Sequence, residues 1–296
     1  YGIHVDNADY IIIDGFVTRN FGKDERRGMG IYMDNCSHVV VQNCTVSNSV
    51  YGIHGNLEDD APNPRSRFML VQDNTVFQNG LWELPWAVAY RRMGGQGINL
   101  EGAEGNNVIR RNHVRGFVDG IILGDGAGPA FNDDIHDNTV LQSRDDGIEL
   151  DCDDINVKVW NNVVDGANSG LSHSEAAVGP LYVFRNIITG FAEYSLKNRR
   201  DAGPTFHYNN VIIATSPTVS PVIFLAGYKY NQVFKNNIFV GQRTVLQTGE
   251  SLDAMNCFLD YNLYYTTDQS RFIEINSVSY DNLQEFGNAT GQELNG

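Results

Sequence analysis

The stretch of the chain most suited to chemistry is residues 144–154, which read RDDGIELDCDD. Six carboxylates fall in a run of ten residues: Asp145, Asp146, Glu149, Asp151, Asp153 and Asp154. The alternation of apolar and polar side chains predicts a strand over 147–151, with Glu149 and Asp151 on one face. A bound cation, or raised pKa values of some carboxyl groups, would relieve the repulsion within such a cluster.

Two kinds of chemistry fit these carboxylates. In the first, Glu149 and Asp151 act as acid and base of an inverting glycoside hydrolase. The strand rise separates them by about 6.7 Å, and inverting enzymes hold their carboxyl groups about 6.5–9.5 Å apart. In the second, a set of carboxylates binds Ca²⁺, which prefers oxygen ligands. That set comprises Asp146, Glu149, Asp151 and either Asp153 or Asp154. A solvated acidic face with no chemistry is the remaining interpretation.

The acidic stretch is one copy of a repeat that extends along most of the chain. An element of the form apolar-x-apolar-x-Asn-x-apolar recurs every 24–27 residues. Its asparagines are Asn112, Asn138, Asn162, Asn186, Asn210, Asn237 and Asn262, and earlier copies centre on Gly15, Cys44 and Asn74. A second element, typically Gly-Ile, lies between successive copies of the first, as at Gly97, Gly120 and Gly147.

Each period of about 24 residues therefore carries at least two short strands separated by Gly, Asn and Asp turns. The two-residue periodicity excludes helical repeats, and a propeller blade needs about 40 residues or more. The pattern predicts an all-β fold, a parallel β-helix of about ten coils in which each strand pairs with its equivalent in the next coil. We expect the repeated asparagines to stack at one turn, in or beside the left-handed conformation, as a ladder of side-chain amides.

These repeats resemble those of the right-handed parallel β-helix superfamily, especially bacterial proteins with parallel β-helix repeats. The resemblance covers nearly the whole chain and implies a single domain over residues 1–296, expected to be a fragment that lacks its end caps. The superfamily includes polysaccharide lyases, glycoside hydrolases, polyuronate epimerases and phage tailspikes. The resemblance thus favours a carbohydrate-active enzyme, although no single lyase family's complete motif is present.

Stacking the coils about 4.8 Å apart predicts columns of outward side chains, one residue per coil. The first column comprises Asn99, Ile122, Glu149, Ser172 and Lys197. The second, two residues further along each strand, comprises Glu101, Gly124, Asp151, Ser174 and Arg199. His173 and Arg200 follow these strands; we expect Arg200 to contact substrate, and His173 to be either a sugar contact or a core histidine.

The resemblance favours the calcium interpretation, because a Ca²⁺-dependent lyase of this fold combines such a site with basic residues. Lys197 lies two coils from Glu149, about 10 Å along the stack. We expect Lys197 to take the proton beside a uronate carboxylate, while Arg199 or Arg200 stabilises the resulting anion. Ca²⁺ would neutralise the uronate. Lys197 and the two arginines could instead be ordinary surface residues.

One insertion interrupts the repeat, since the period stretches to 38 residues between Asn74 and Asn112. The additional residues fall in 80–95, which we expect to project as a loop or short helix beside Asn99 and Glu101. Aromatic and basic side chains in this segment suit the stacking of sugar rings; they are Trp82, Trp86, Tyr90, Arg91 and Arg92. Alternatively, the segment is an amphipathic helix that packs its own aromatics over the coil.

The net charge of −15 argues against nucleic acid and anionic membranes as partners. No apolar run approaches the length of a membrane span. The expected partner is a polysaccharide or oligosaccharide, and the resemblance implies a secreted, cell-surface or periplasmic protein of bacterial type. A non-catalytic glycan-binding or structural rod remains the alternative to an enzyme, because the fold alone does not define chemistry.

Overall fold

The protein is described here by a computed structural model. It describes residues 1–22, 28–55, 67–79, 95–100, 104–125, 130–151, 155–173, 178–197, 203–216, 218–219, 221–225, 230–268 and 271–296, with the backbone alone for 124–125. Within these residues the chain winds into a solenoid of short strands, and almost every strand pairs in parallel with its equivalent one coil away. The predicted parallel β-helix is confirmed.

Three long sheets form the faces of the solenoid. The first sheet contains β1 (Ile3–Asp6), β4 (Met29–Asp34), β7 (Tyr51–Gly55), β10 (Gln96–Asn99), β13 (Asp119–Asp125), β16 (Asp146–Asp151), β19 (Ser169–Ser172) and β22 (Tyr194–Lys197). The second sheet contains β2 (Ile12–Asp14), β5 (Val40–Gln42), β8 (Leu70–Gln72), β11 (Val108–Arg110), β14 (Asp134–His136), β17 (Val157–Trp160), β20 (Leu181–Phe184), β23 (Thr205–Tyr208), β26 (Gln232–Lys235) and β29 (Phe258–Asp260).

The third sheet contains β3 (Val17–Arg19), β6 (Thr45–Ser47), β9 (Thr75–Phe77), β12 (His113–Arg115), β15 (Thr139–Leu141), β18 (Val163–Asp165), β21 (Ile187–Thr189), β24 (Val211–Ile213), β27 (Ile238–Gly241) and β30 (Leu263–Thr266). A fourth sheet contains β25 (Ile223–Leu225), β28 (Leu246–Thr248), β31 (Ile273–Ile275) and β32 (Val278–Tyr280). Since β25 packs beside β22, the fourth sheet continues the face begun by the first. β32 pairs antiparallel to β31 and leads into helix α1 (Leu283–Thr290).

The core is built from inward columns that the strand alternation produces. Ile98, Ile121 and Ile148 stack from coil to coil in the first sheet, and each is almost fully buried. Valine and isoleucine predominate in the equivalent columns of the second and third sheets, because β-branched side chains pack well on a pleated surface. His207 is a polar residue in the column of the second sheet, where it lies between Val183 and Phe234.

The repeated asparagines form the predicted ladder. Each side-chain amide from Asn74 through Asn237 donates to the side-chain oxygen of the asparagine in the next coil, at 2.9–3.1 Å. Each also donates to a backbone carbonyl of the preceding coil, as Asn186 does to Val159. The residue just before the asparagine takes the left-handed conformation, as at Arg185 (φ 58°). Asn262 continues the ladder to the carboxylate of Glu293.

No helix among the described residues is long and apolar enough to span a membrane.

Candidate active site

Glycines at one corner of the solenoid direct the acidic side chains outward. A Cβ atom on Gly147 would lie 2.3 Å from Cγ1 of the core residue Val164, so this position faces the interior and accepts only glycine. Ile148 also faces the interior. Because two consecutive residues point inward, the strict alternation is interrupted, and Asp146 lies on the same side of the sheet as Glu149. Cβ atoms on Gly120 and Gly170 would clash with core side chains in the same way.

Two columns of side chains therefore lie side by side on the first sheet. One contains Asn99, Ile122, Glu149, Ser172 and Lys197, in the register expected from the repeat. The other contains Asp146, Ser169 and Tyr194, with Asp119 one coil before Asp146. The second predicted column needs a correction, because a bulge between Ile122 and Gly124 pairs Asp125, and not Gly124, with Asp151.

Three carboxylates from adjacent coils converge on this face. Oxygens of Asp119, Asp146 and Glu149 lie within 4.8 Å of one another. We call these three residues the acidic cluster. The backbone N–H of Asp146 donates to Oδ1 of Asp119 at 3.1 Å, which ties the two coils together. Asp151 is not one of these three residues; it accepts a hydrogen bond of 2.5 Å from Oγ of Ser172, and its charge acts on both Asp146 and Lys197.

Asp119 was missed in the sequence analysis. A signal for it is present, since residues 119–121 and 146–148 both read Asp-Gly-Ile and occupy equivalent places in successive coils. Asp119 therefore precedes the corner glycine as Asp146 does.

Lys197 contacts the acidic cluster directly. Its Nζ lies 2.7 Å from Oδ2 of Asp146, and the two side chains are 16% and 1% exposed. The lysine reaches back past the neighbouring coil, where Ser172 occupies the same column between Glu149 and Lys197. A serine there leaves room for the lysine stem. The ion pair is thus largely shielded from water.

The electrostatics of the cluster reflect burial and mutual repulsion. Burial raises the pKa of Asp119 well above its ordinary value, and the charges of Asp146 and Asp145 add to this effect. Burial also raises the pKa of Asp146 to about 6, against the lowering effect of Lys197. Burial alone would lower the pKa of Lys197, but the carboxylates of Asp146, Asp151 and Asp145 raise it above its ordinary value. With all three carboxyl groups ionised, the cluster would carry more negative charge than one ammonium group neutralises.

One oxygen of the cluster is conspicuous. Oδ1 of Asp146 is buried and has no hydrogen-bond partner among the described residues. A buried carboxylate oxygen without a partner costs free energy unless a proton or cation meets it.

The remaining predicted site residues fall into two groups. Asn99 is fully buried and donates a hydrogen bond to Gln96 at 2.5 Å. His173 is also fully buried, with its ring 5.6 Å from that of His207. The other predicted residues lie outside the described part of the chain: Trp82, Trp86, Tyr90, Arg91, Arg92, Glu101, Asp153, Asp154, Ser174, Arg199 and Arg200.

Comparison with known families assigns the chain to a class. A family model described as "Right handed beta helix region" matches residues 1–135 and 29–212. The chain belongs to this right-handed β-helix family. No curated protein sequence matches it.

Solved structures share the fold at low sequence identity. The Agl-KA catalytic domain aligns with a TM-score of 0.58 and 16% identity over 84% of this chain, but this chain spans about half (51%) of that one. The alginate lyase from Paenibacillus sp. str. FPU-7 has a TM-score of 0.51 and 12% identity, covering 88% of this chain and 80% of the lyase. The A-module of the mannuronan C-5 epimerase AlgE4 from Azotobacter vinelandii has a TM-score of 0.51 and 13% identity, covering 89% and 84%. These likenesses establish the fold alone.

Proposed function

We propose that the protein is a Ca²⁺-dependent polysaccharide lyase that cleaves a uronate-containing glycan by β-elimination on the first sheet. The observation that carries this proposal is the acidic cluster of Asp119, Asp146 and Glu149 in contact with Lys197. The cluster supplies oxygens suited to a hard cation, and the lysine supplies a base beside it. An alginate lyase and a mannuronan epimerase among the similar structures are compatible with a uronate polymer as substrate.

The residues present fit a calcium ion. Ca²⁺ is bound by carboxylate oxygens from flexible sets of ligands, and three such groups lie within 4.8 Å of one another here. Oδ1 of Asp146 is buried without a partner and would gain one. Burial raises the pKa values of Asp119 and Asp146, so ionising both carboxyl groups in this site is unfavourable without a further positive charge. Asp119, Asp146 and Glu149 would hold the ion, so Asp119 joins the predicted set. Asp151, which accepts from Ser172, stays a predicted ligand.

Bound Ca²⁺ would supply positive charge that neutralises the substrate carboxylate and acidifies the carbon beside it. Lys197 is the base in this proposal. It must leave Asp146 and give up its proton before it can act, because the contact with Asp146 keeps it charged. The neutral amine then takes the proton from the carbon beside the carboxylate.

Removal of this proton leaves the electrons of the C–H bond on the carbon and its carboxylate, as an enolate-like anion. These electrons then form a carbon–carbon double bond as the glycosidic C–O bond at the next carbon breaks, and the departing oxygen takes up the proton that Lys197 carries. Arg199 or Arg200, which follow Lys197 in sequence, are proposed to stabilise the intermediate anion.

A glycoside hydrolase is the second candidate, and one observation favours it. The raised pKa of Asp146, about 6, provides a carboxyl group that can donate a proton to a leaving oxygen near neutral pH. Glu149, from the same cluster, or Asp151 would then activate water. We rank this candidate second because Lys197 occupies the cluster and has no defined role in a two-carboxylate mechanism.

The two candidates differ in their products. We expect incubation with uronate polysaccharides and Ca²⁺ to give the ultraviolet absorbance of an unsaturated sugar, and we expect EDTA or Lys197→Met to abolish it. Lys158→Met is the matched control, since Lys158 forms a more exposed pair with Asp134 on the second sheet. Reducing ends without that absorbance would indicate hydrolysis. If no glycan yields either product, both enzymatic candidates are refuted and the non-catalytic rod remains.

A further inference from the structure

A cavity of about 290 Å³ lies at the place where the first sheet gives way to the fourth. Tyr194 of β22, Phe224 of β25 and Gln247 of β28 contribute to its walls, together with Glu193, Thr218, Val219 and Pro221. Its size is at the lower end of the range of about 300–1,000 Å³ typical of small-molecule sites. The cavity is therefore suited to a single small ring.

The cavity shares a column of side chains with the acidic cluster. Asp146 pairs with Ser169, and Ser169 pairs with Tyr194, so the wall of the cavity lies two coils from Asp146. At about 4.8 Å per coil this is about 10 Å along the solenoid. Lys197 and Tyr194 are also the two ends of one strand, β22. A glycan cleaved beside Lys197 and extended along the solenoid would place a neighbouring sugar in the cavity.

The chemistry of the walls distinguishes the cavity from the acidic cluster. Tyr194 and Phe224 offer aromatic surface of the kind that packs against sugar rings. Gln247 and Glu193 offer hydrogen-bonding groups for hydroxyls, and Gln247 donates to Glu274 at 2.9 Å. No lysine or arginine is among the described residues that line the cavity. Among the residues that the structure describes, a uronate carboxylate placed here would face Glu193 with no lysine or arginine on the wall.

We infer that this cavity is a subsite for an uncharged sugar residue, so that the substrate is a mixed glycan in which uronate and neutral sugars alternate or are interspersed. The inference rests on the proposed function for the position of the cleaved bond. The inference adds the substrate class to the proposed function. A polymer made only of uronate would place a carboxylate beside the negatively charged Glu193 on the wall of the cavity.

The first test compares substrates. Gellan and hyaluronan serve as mixed glycans, and alginate and polygalacturonate as purely uronate ones. We expect kcat/KM to favour a mixed glycan. We expect Phe224→Ala to raise KM for the mixed glycan about three- to tenfold, as expected for loss of an aromatic contact. Phe258→Ala, which truncates an exposed phenylalanine of the second sheet, is the control and should leave KM unchanged. Equal or better turnover of pure polyuronates, unaffected by Phe224→Ala, would overturn the inference.

The second test separates this inference from the proposed function. Binding of neutral disaccharides (cellobiose and lactose) is measured by saturation-transfer NMR in EDTA, where no elimination occurs. We expect binding that Phe224→Ala weakens about three- to tenfold and Lys197→Met preserves. That result would support the subsite even if no lyase activity were found. Absence of binding to the wild-type protein, or binding that Phe224→Ala leaves intact, would refute the subsite while leaving the lyase proposal untouched.

Discussion

Replacement of Lys197 by methionine should strengthen calcium binding while it abolishes activity. The ammonium group holds one oxygen of Asp146, so any cation entering the acidic cluster must displace it or tolerate its positive charge. Methionine keeps an unbranched stem of similar length and removes the charge. The substitution therefore separates two roles of the lysine: the proposed base, and the internal counter-ion of the cluster.

The size of the effect follows from the contact that is lost. A hydrogen bond to a charged group contributes about 1.5–3 kcal/mol net, and both partners here are largely buried. Every 1.4 kcal/mol corresponds to about a factor of ten in affinity, so the dissociation constant for Ca²⁺ should fall about 10- to 100-fold. Without calcium the variant should lose about 1–3 kcal/mol of stability. The loss stays below the full cost of an orphaned buried charge, because the raised pKa of Asp146, about 6, allows it to take up a proton.

Isothermal titration calorimetry with CaCl₂ at pH 7 measures the affinity, and thermal unfolding with and without EDTA measures the stability. Lys158→Met is the control for loss of a lysine–aspartate pair, since Lys158 Nζ lies 3.3 Å from Asp134 and both side chains are about one-third exposed. Its calcium affinity should match that of the wild type. Equal or weaker calcium binding by Lys197→Met, or no binding by either protein, would refute the idea that the lysine and the cation compete for Asp146.

Three other predictions concern the cluster, the core and the ladder. Asp119→Asn should raise the dissociation constant for Ca²⁺ about tenfold or more in calorimetry. In EDTA the variant should unfold no earlier than the wild type, because it removes a buried carboxyl group whose pKa is raised. Earlier unfolding in EDTA would contradict this. Burial, with a contribution from His173, lowers the pKa of His207 in the folded protein to about 3. As pH falls from about 6.5, this histidine therefore takes up a proton in the unfolded chain but not in the folded one. Stability should then decline by up to about 1.4 kcal/mol per pH unit between those values, and His207→Phe, measured by urea unfolding, should reduce that slope; an identical slope would contradict the assignment. Asn186→Ala removes four ladder hydrogen bonds and should lower the free energy of unfolding by about 4 kcal/mol, at about 1 kcal/mol each. The control Asn168→Ala removes one side-chain bond, to Glu193, and should lower it by less than about 1 kcal/mol. Similar losses in the two variants would show that the ladder contributes little stability.

The fold could be predicted because its determinants are local and repeat with the coil. Asn162, Asn186 and Asn210 recur at equal spacing, and equal spacing in a solenoid places them directly above one another. The ladder then follows from hydrogen bonding. The register of the column containing Glu149 and Lys197 could be predicted for the same reason, since the Gly-Ile element continues as Gly-Leu at 170–171 and as Ser-Leu at 195–196.

The acidic cluster was only partly predictable, because it depends on departures from strand regularity. Strict alternation groups Asp146 with the inward Ile148, whereas the corner at Gly147 turns it outward. The bulge after Ile122 shifted the second column by one residue, which no spacing in the sequence reveals. Asp119 was overlooked for a simpler reason: residues 114–124 contain no other carboxylate, whereas a run of carboxylates marks residues 144–154.

The contact between Lys197 and Asp146 required coordinates. Two coils separate their strands, so contact depends on what lies between them. A large residue in place of Ser172 would have blocked the lysine, and a shorter base would not have reached the carboxylate.

The most direct test of the lyase proposal is a crystal structure of Lys197→Met, soaked with Ca²⁺ and an oligouronate that the variant cannot cleave. We predict one calcium ion among the carboxylates of Asp119, Asp146 and Glu149, with the substrate carboxylate on its open side and residue 197 beside the neighbouring sugar carbon. A glycan bound on another sheet, or a calcium ion bound away from these three carboxylates, would contradict the proposal.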